Sequence, residues 1–202
     1  MTSAVTRAST FADAGFSMVL PGTWAPIPVR DEKRAAHAVA ALVKRQVGRD
    51  DRFATVRRNV REQLNDVVRR AREANANQLA LSLEILPGVP FPASAVFTMR
   101  TWPDERPSPE QRGAAIAGML PGGEPIDCDA GPTVRAWRQV RIRPGTETIE
   151  DTKLEYLIAA PGGDQVLHLV ADAPVDCDPE LIVALFDAMV DSIRWHTEPV
   201  QR

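Results

Sequence analysis

Phe16, Met18 and Leu20 alternate with Ser17 and Val19, the two-residue period of a strand that buries one face. Pro21-Gly22 then turns the chain, and Trp24 follows as a large apolar anchor. Pro26 and Pro28 keep the next residues extended. From about Asp31 the period becomes helical, with Ala35, Ala38, Val39, Leu42 and Val43 on one stripe and Gly48 as terminator. A longer helix is expected from about Asp50, because Phe53, Val56, Val60, Leu64, Val67, Ala71 and Ala74 recur at steps of three and four. Its other face carries Arg58, Glu62, Arg69, Arg72 and Glu73, a solvated surface of mixed ion pairs.

Strand periods return with Leu79, Leu81, Leu83 and Ile85 on one face, and again from Ala93 to Trp102. Pro87-Gly88, Pro90 and Pro92 interrupt the two as a hairpin-type connection. Ser108, Pro109 and Gln111 are an N-cap, a first helical residue and a capping-box partner. That helix should end near Leu120, before Pro121-Gly122-Gly123. Val134, Ala136, Val140 and Ile142 alternate with Arg135, Trp137, Gln139, Arg141 and Arg143, a half-buried strand that ends at the turn Pro144-Gly145. Leu154, Tyr156 and Ile158 form the next strand and Val166 to Ala171 another, joined by turns so short that neighbours must be antiparallel. Asp178 caps a last helix whose stripe is Ile182, Leu185, Phe186, Met189, Val190 and Ile193.

This order predicts an α+β fold, a single antiparallel sheet flanked by helices in an α/β/α sandwich. Residues 1–202 are expected to form a single domain with flexible ends at 1–14 and 197–202. Phe16, Leu20, Leu81, Phe97, Phe186 and Met189 are expected to share its core.

Charge and composition narrow the picture only slightly. A formal charge of -3 exerts no global pull on nucleic acid or anionic membranes. The sequence holds no run of about eighteen apolar residues of the kind that crosses a membrane. The opening MTSAVTRASTFADAG lacks the apolar centre of a secretory signal, so a cytoplasmic location is expected. The two cysteines, Cys128 and Cys177, each sit between aspartates. A reducing compartment favours two thiols. A disulfide closing a loop of roughly 50 residues, worth about 4 kcal/mol, is the second option. Metal binding is the third, without supporting ligand spacing.

The pattern F-x-apolar-x-L-P-G-x-W at Phe16 to Trp24 and the closing L-F-D-x-apolar-V-x-S-I at Leu185 to Ile193 resemble the PsbP-like superfamily. That superfamily also holds a Ran-binding nuclear-import factor, LpqN-type lipoproteins and Eag-type secretion chaperones. The segment Ala130-Gly131-Pro132-Thr133-Val134-Arg135 is similar to the entry to a central strand in actinobacterial relatives. The resemblance implies a first strand in the central sheet, a Pro-Gly turn over its edge and a final helix packed back across it. It also implies a protein that binds other proteins and catalyses nothing, with no catalytic residue to carry over.

The residues by themselves offer little chemistry. His37 lies on a helix, His196 lies near the end, and His168 shares a strand face with Val166 and Val170, where a satisfied imidazole is expected. The Gly-Gly pairs have no phosphate-loop lysine, and no nucleophile, base and metal form a constellation. Neither a cofactor nor a metal is expected. The strand of Arg135, Trp137 and Arg141 mixes cations with an aromatic on one face, and those three are the candidate partner-binding residues. The expected function is a noncatalytic protein-binding module, an adaptor or chaperone of a bacterial secretion or envelope system, with homo-oligomers allowed. Binding of single-stranded nucleic acid or a small ligand is the alternative, and an enzyme of unrecognised type stands behind it.

Overall fold

A computed structural model describes residues 7–11, 14–22, 24–47, 51–86, 88–143, 148–174 and 177–196. In chain order its elements begin with β1 (Arg7–Phe11), β2 (Phe16–Leu20), β3 (Ala25–Ile27), α1 (Glu32–Val47) and α2 (Ala54–Glu73). They continue with β4 (Gln78–Leu86), β5 (Val89–Thr101), α3 (Arg112–Met119), β6 (Glu124–Ile126) and β7 (Thr133–Ile142). The chain closes with β8 (Ile149–Ala159), β9 (Gln165–Ala173), α4 (Pro179–Asp191) and β10 (Arg194–Trp195). The helix signals work as their chemistry requires. Gln111 Oε1 accepts from the Ser108 backbone N–H, and Asp178 Oδ1 accepts from the N–H of Glu180. Gly48, Pro87, the Pro144-Gly145 turn and residues 1–6 and 197–202 lie outside the described residues.

Seven strands form the main sheet in the order β3-β4-β5-β9-β8-β7-β6, and every pair in it is antiparallel. The α+β class and the helix-flanked antiparallel sheet are as the pattern predicts. The first strand is placed differently from the resemblance. β2 pairs with β1 and β10 in a separate three-stranded sheet. β4 and β9 already occupy both edges of β5, so the central ladder has no vacant place for it. β2 stacks over the sheet instead, with the Phe16 ring 5.7 Å from Phe97. β1 itself lies within the expected flexible end at 1–14, where Arg7 to Phe11 pair in register with Leu20 to Phe16.

Each face of the main sheet is covered in its own way. The small sheet and α4 lie over one face, where Phe11, Phe16, Trp24, Phe97, Tyr156 and Phe186 interlock. Trp24 meets Phe186 edge-on, ring centroids 5.9 Å apart, so the anchor after the first turn grips the last helix. On the other face α1 and α2 cover Leu79 and Leu81 at one end. Helix α3 covers Trp102, Val134, Leu157 and Val166 at the other.

Three expectations need correction. Leu81 is buried but does not share the core of Phe16 and Phe97, because Leu79 and Leu81 point to the helical pair while Ala80 faces the aromatics. The alternation from Leu79 to Ile85 does not hold one face either. Irregularities in the β4–β5 register between Ser82 and Leu86 intervene, and Ile85 packs against the aromatic cluster. Finally, the apolar stripe of α2 is buried only towards its end. Val68 and Ala71 are covered, whereas Phe53 and Val56 are 45% and 47% exposed. Twenty helical residues span about 30 Å, and the part nearest Ala54 reaches past its support.

Candidate protein-binding surface

β7 places Arg135, Trp137 and Arg141 on the α4 side of the sheet, opposite Tyr156, Leu154 and Glu150 of β8. They differ sharply in freedom. The Arg135 guanidinium donates to Asp187 of α4 and Glu124 of β6, and its side chain keeps only 13% of its exposure. Asp187 Oδ1 also accepts from the Tyr156 hydroxyl at 2.8 Å. Burial, then the neighbouring carboxylate charge, pushes the Tyr156 phenol well above its ordinary range. Arg135 is thus tied into a half-buried network that pins α4 to the sheet.

Beyond the end of α4 the strand opens. Trp137 is 40% exposed, in contrast to 7% for Trp24 and 9% for Trp102. Arg138 and Gln139 are exposed beside it, and Arg141 Nε donates to Glu150 Oε1 at 2.8 Å on the surface. Arg141 is a solvent-facing cation, and an exposed pair of this kind contributes little to folding. The three candidate residues therefore share a strand but not a role: Arg135 braces, Trp137 presents an apolar surface, and Arg141 presents charge.

The opposite face holds a concavity of about 960 Å³ between the end of α2 and α3. Arg30, Val96, Thr98, Arg100, His168 and Val170 are among its lining residues. His168 is half-buried with Nε2 2.7 Å from Glu155 Oε1, the satisfied imidazole expected of its strand face. Among the described residues no three His, Cys, Asp or Glu side chains gather as a metal site. Cys128 is half-buried and Cys177 exposed, and no disulfide joins them. No helix among the described residues is long and apolar enough to cross a membrane.

No known protein family matches the sequence, and no curated protein matches it. Among solved structures it is similar to the Ran-binding protein Mog1p of Saccharomyces cerevisiae, over 96% of each chain at 9% identity, with a TM-score of 0.46. A Bacteroides thetaiotaomicron structure matches 94% of this chain and 48% of its own, at 9% identity and a TM-score of 0.42.

Sequence reasoning missed Arg138 and the backbone edge of β7. Alternation assigns side chains to faces, but a free edge depends on how far the neighbouring strand extends, and the short β6 gives no strong periodic signal.

Proposed function

We propose that the protein is a noncatalytic protein-binding module that docks its partner on β7 around Trp137. The exposure of Trp137 carries the reading: Trp24 and Trp102 are nearly covered and Trp195 is partly buried against Phe16, whereas Trp137 is exposed. Tryptophan and arginine are the residue types that dominate interface energetics, and a strand presents them without an ordering cost. Arg141 adds charge, while Arg135 holds the base of the patch rigid through Glu124 and Asp187. An adaptor or chaperone role in a secretion or envelope system is the finer form of this reading, supported by the resemblance of the first turn and last helix.

Trp137→Ala tests it. Capture of the native partner should weaken by about 2 kcal/mol or more while the melting temperature stays nearly unchanged. A large drop in melting temperature with capture intact would make Trp137 a packing residue. Binding of single-stranded nucleic acid that falls steeply with salt would favour the nucleic-acid alternative.

A further inference from the structure

We propose that the free edge of β7 binds an acidic, extended peptide segment by strand addition, with Trp137 beside the added strand. The inference rests on the docking reading for its location, and adds the mode of binding and the chemistry of the partner. β6 pairs with β7 only from Thr133 to Arg135, whereas the ladder to β8 continues to Ile142. From Ala136 onward the side of β7 facing away from β8 has no strand against it among the described residues.

The direction of the backbone groups follows from one hydrogen bond. Ala159 N–H donates to Pro132 C=O, and Pro132 stands opposite Ala159 in the β7–β8 register. Antiparallel ladders alternate bonded and non-bonded positions. Val134, Ala136, Arg138 and Val140 therefore bond to β8. Thr133 and Arg135 turn their groups to β6, and Trp137, Gln139 and Arg141 turn theirs to the open edge.

Charge identifies the occupant. Arg138 stands directly opposite Lys153 across the ladder. Lys153 is held by Asp151 and Asp172, at 2.7 and 2.9 Å, but Arg138 has no carboxylate partner among the described residues. The charge of Lys153 is thus already met, and Arg138 is the cation of this pair left for an incoming carboxylate. Arg141, paired at the surface with Glu150, and Arg143, bonded to the Thr148 hydroxyl, continue the row of arginines along the edge, in a chain whose net charge is negative. A second copy would bring the same arginines against this edge, so self-pairing is disfavoured. An extended segment with carboxylates three residues apart meets Arg138 on one face and, sharing it with Glu150, Arg141 on the other. Strand addition then draws affinity from main-chain hydrogen bonds and selectivity from those alternating side chains.

The test uses the full chain and a short capped peptide of valine and threonine with glutamates three apart, with a lysine-for-glutamate peptide as control. Fluorescence anisotropy at low salt should show the glutamate peptide binding and the lysine peptide not binding. Gln139→Pro removes an N–H that faces the open edge and leaves the β8 ladder whole, as edge prolines do. It should weaken peptide binding by about ten-fold or more while the melting temperature holds. If that variant is destabilised, peptides N-methylated at alternate positions decide on the unaltered protein. Methylation in one phase must abolish binding and in the other must spare it.

Equal binding of both peptides, no binding of the glutamate peptide, or indifference to methylation phase overturns the proposal. So does undiminished binding by a folded Gln139→Pro, or a dimer in sedimentation that this substitution dissolves. Loss of native-partner capture in Trp137→Ala alongside any of these would leave the docking reading standing without strand addition. Phase-selective peptide binding with Trp137→Ala silent in capture would do the reverse.

Discussion

At Gly22 the backbone has φ +64°, and a Cβ built there would stand 2.1 Å from the carbonyl oxygen of Ile85. The turn after β2 needs both the left-handed dihedral and the missing side chain. Gly22→Ala should destabilise by about 1 to 3 kcal/mol from the dihedral alone, with the clash added to it. A denaturant midpoint equal to the parent's would mean that the chain crosses β4 at a greater distance. Arg135 and Arg141 make a second contrast at this scale. Arg135→Ala removes the charge-assisted bonds to half-buried Asp187 and exposed Glu124 beside buried Tyr156, a loss of about 1.5 to 3 kcal/mol. Arg141→Ala removes only a surface pair and should leave the melting temperature where it was. Equal melting temperatures for the two variants would contradict the bracing role given to Arg135.

At the level of elements, α2 combines a supported and an unsupported half. Its N-terminal half shows solvent on nearly every side, while Val68 and Ala71 close against α1 and β4. Helical hydrogen bonds without packed neighbours open readily, because an isolated helix of this length is marginal in water. Amide hydrogens from Arg58 to Gln63 should therefore exchange much faster than those from Arg69 to Glu73, as read by exchange with mass spectrometry. Uniform protection along α2 would require a cover for Phe53 and Val56. The irregular register of β4 is an element-scale feature of another kind. It turns Ile85 to the aromatic core after Leu79 and Leu81 have served the helical pair, so one strand contributes to both faces' clusters.

For the molecule as a whole, Tyr156 links the sheet, α4 and the pH dependence of stability. It is the single tyrosine, fully buried, with its hydroxyl on Asp187. Burial, and after it the adjacent carboxylate, raise its pKa above that of an unfolded tyrosine. The folded chain consequently keeps a proton that the unfolded chain releases above about pH 10. The stability linked to Tyr156 is complete below that pH and falls as pH rises through it, by up to about 1.4 kcal/mol per unit. Tyrosinate absorbance should appear only together with loss of folded structure in an alkaline titration. A tyrosinate signal near pH 10 in protein that is still folded would place the ring within reach of water.

Most of the strand and helix periods, the N-caps at Ser108 and Asp178 and the antiparallel class were legible in the sequence. They arise from local sterics and hydrogen bonds between residues a few positions apart, which any window of the chain displays. The half-buried strand at β7 was legible for the same reason, and with it the shared face of Arg135, Trp137 and Arg141. Only the tertiary structure decided that Arg135 is spent on Asp187, a carboxylate 52 positions away, while Trp137 meets solvent. It also decided that Leu81 leaves the aromatic core, that β2 stacks over the sheet and that β6 stops at Arg135. Those outcomes depend on which strands claim which edges and where each helix ends over the sheet. Such long-range competition among packed elements leaves no periodic trace along the chain, and here it separates a bracing arginine from an exposed edge.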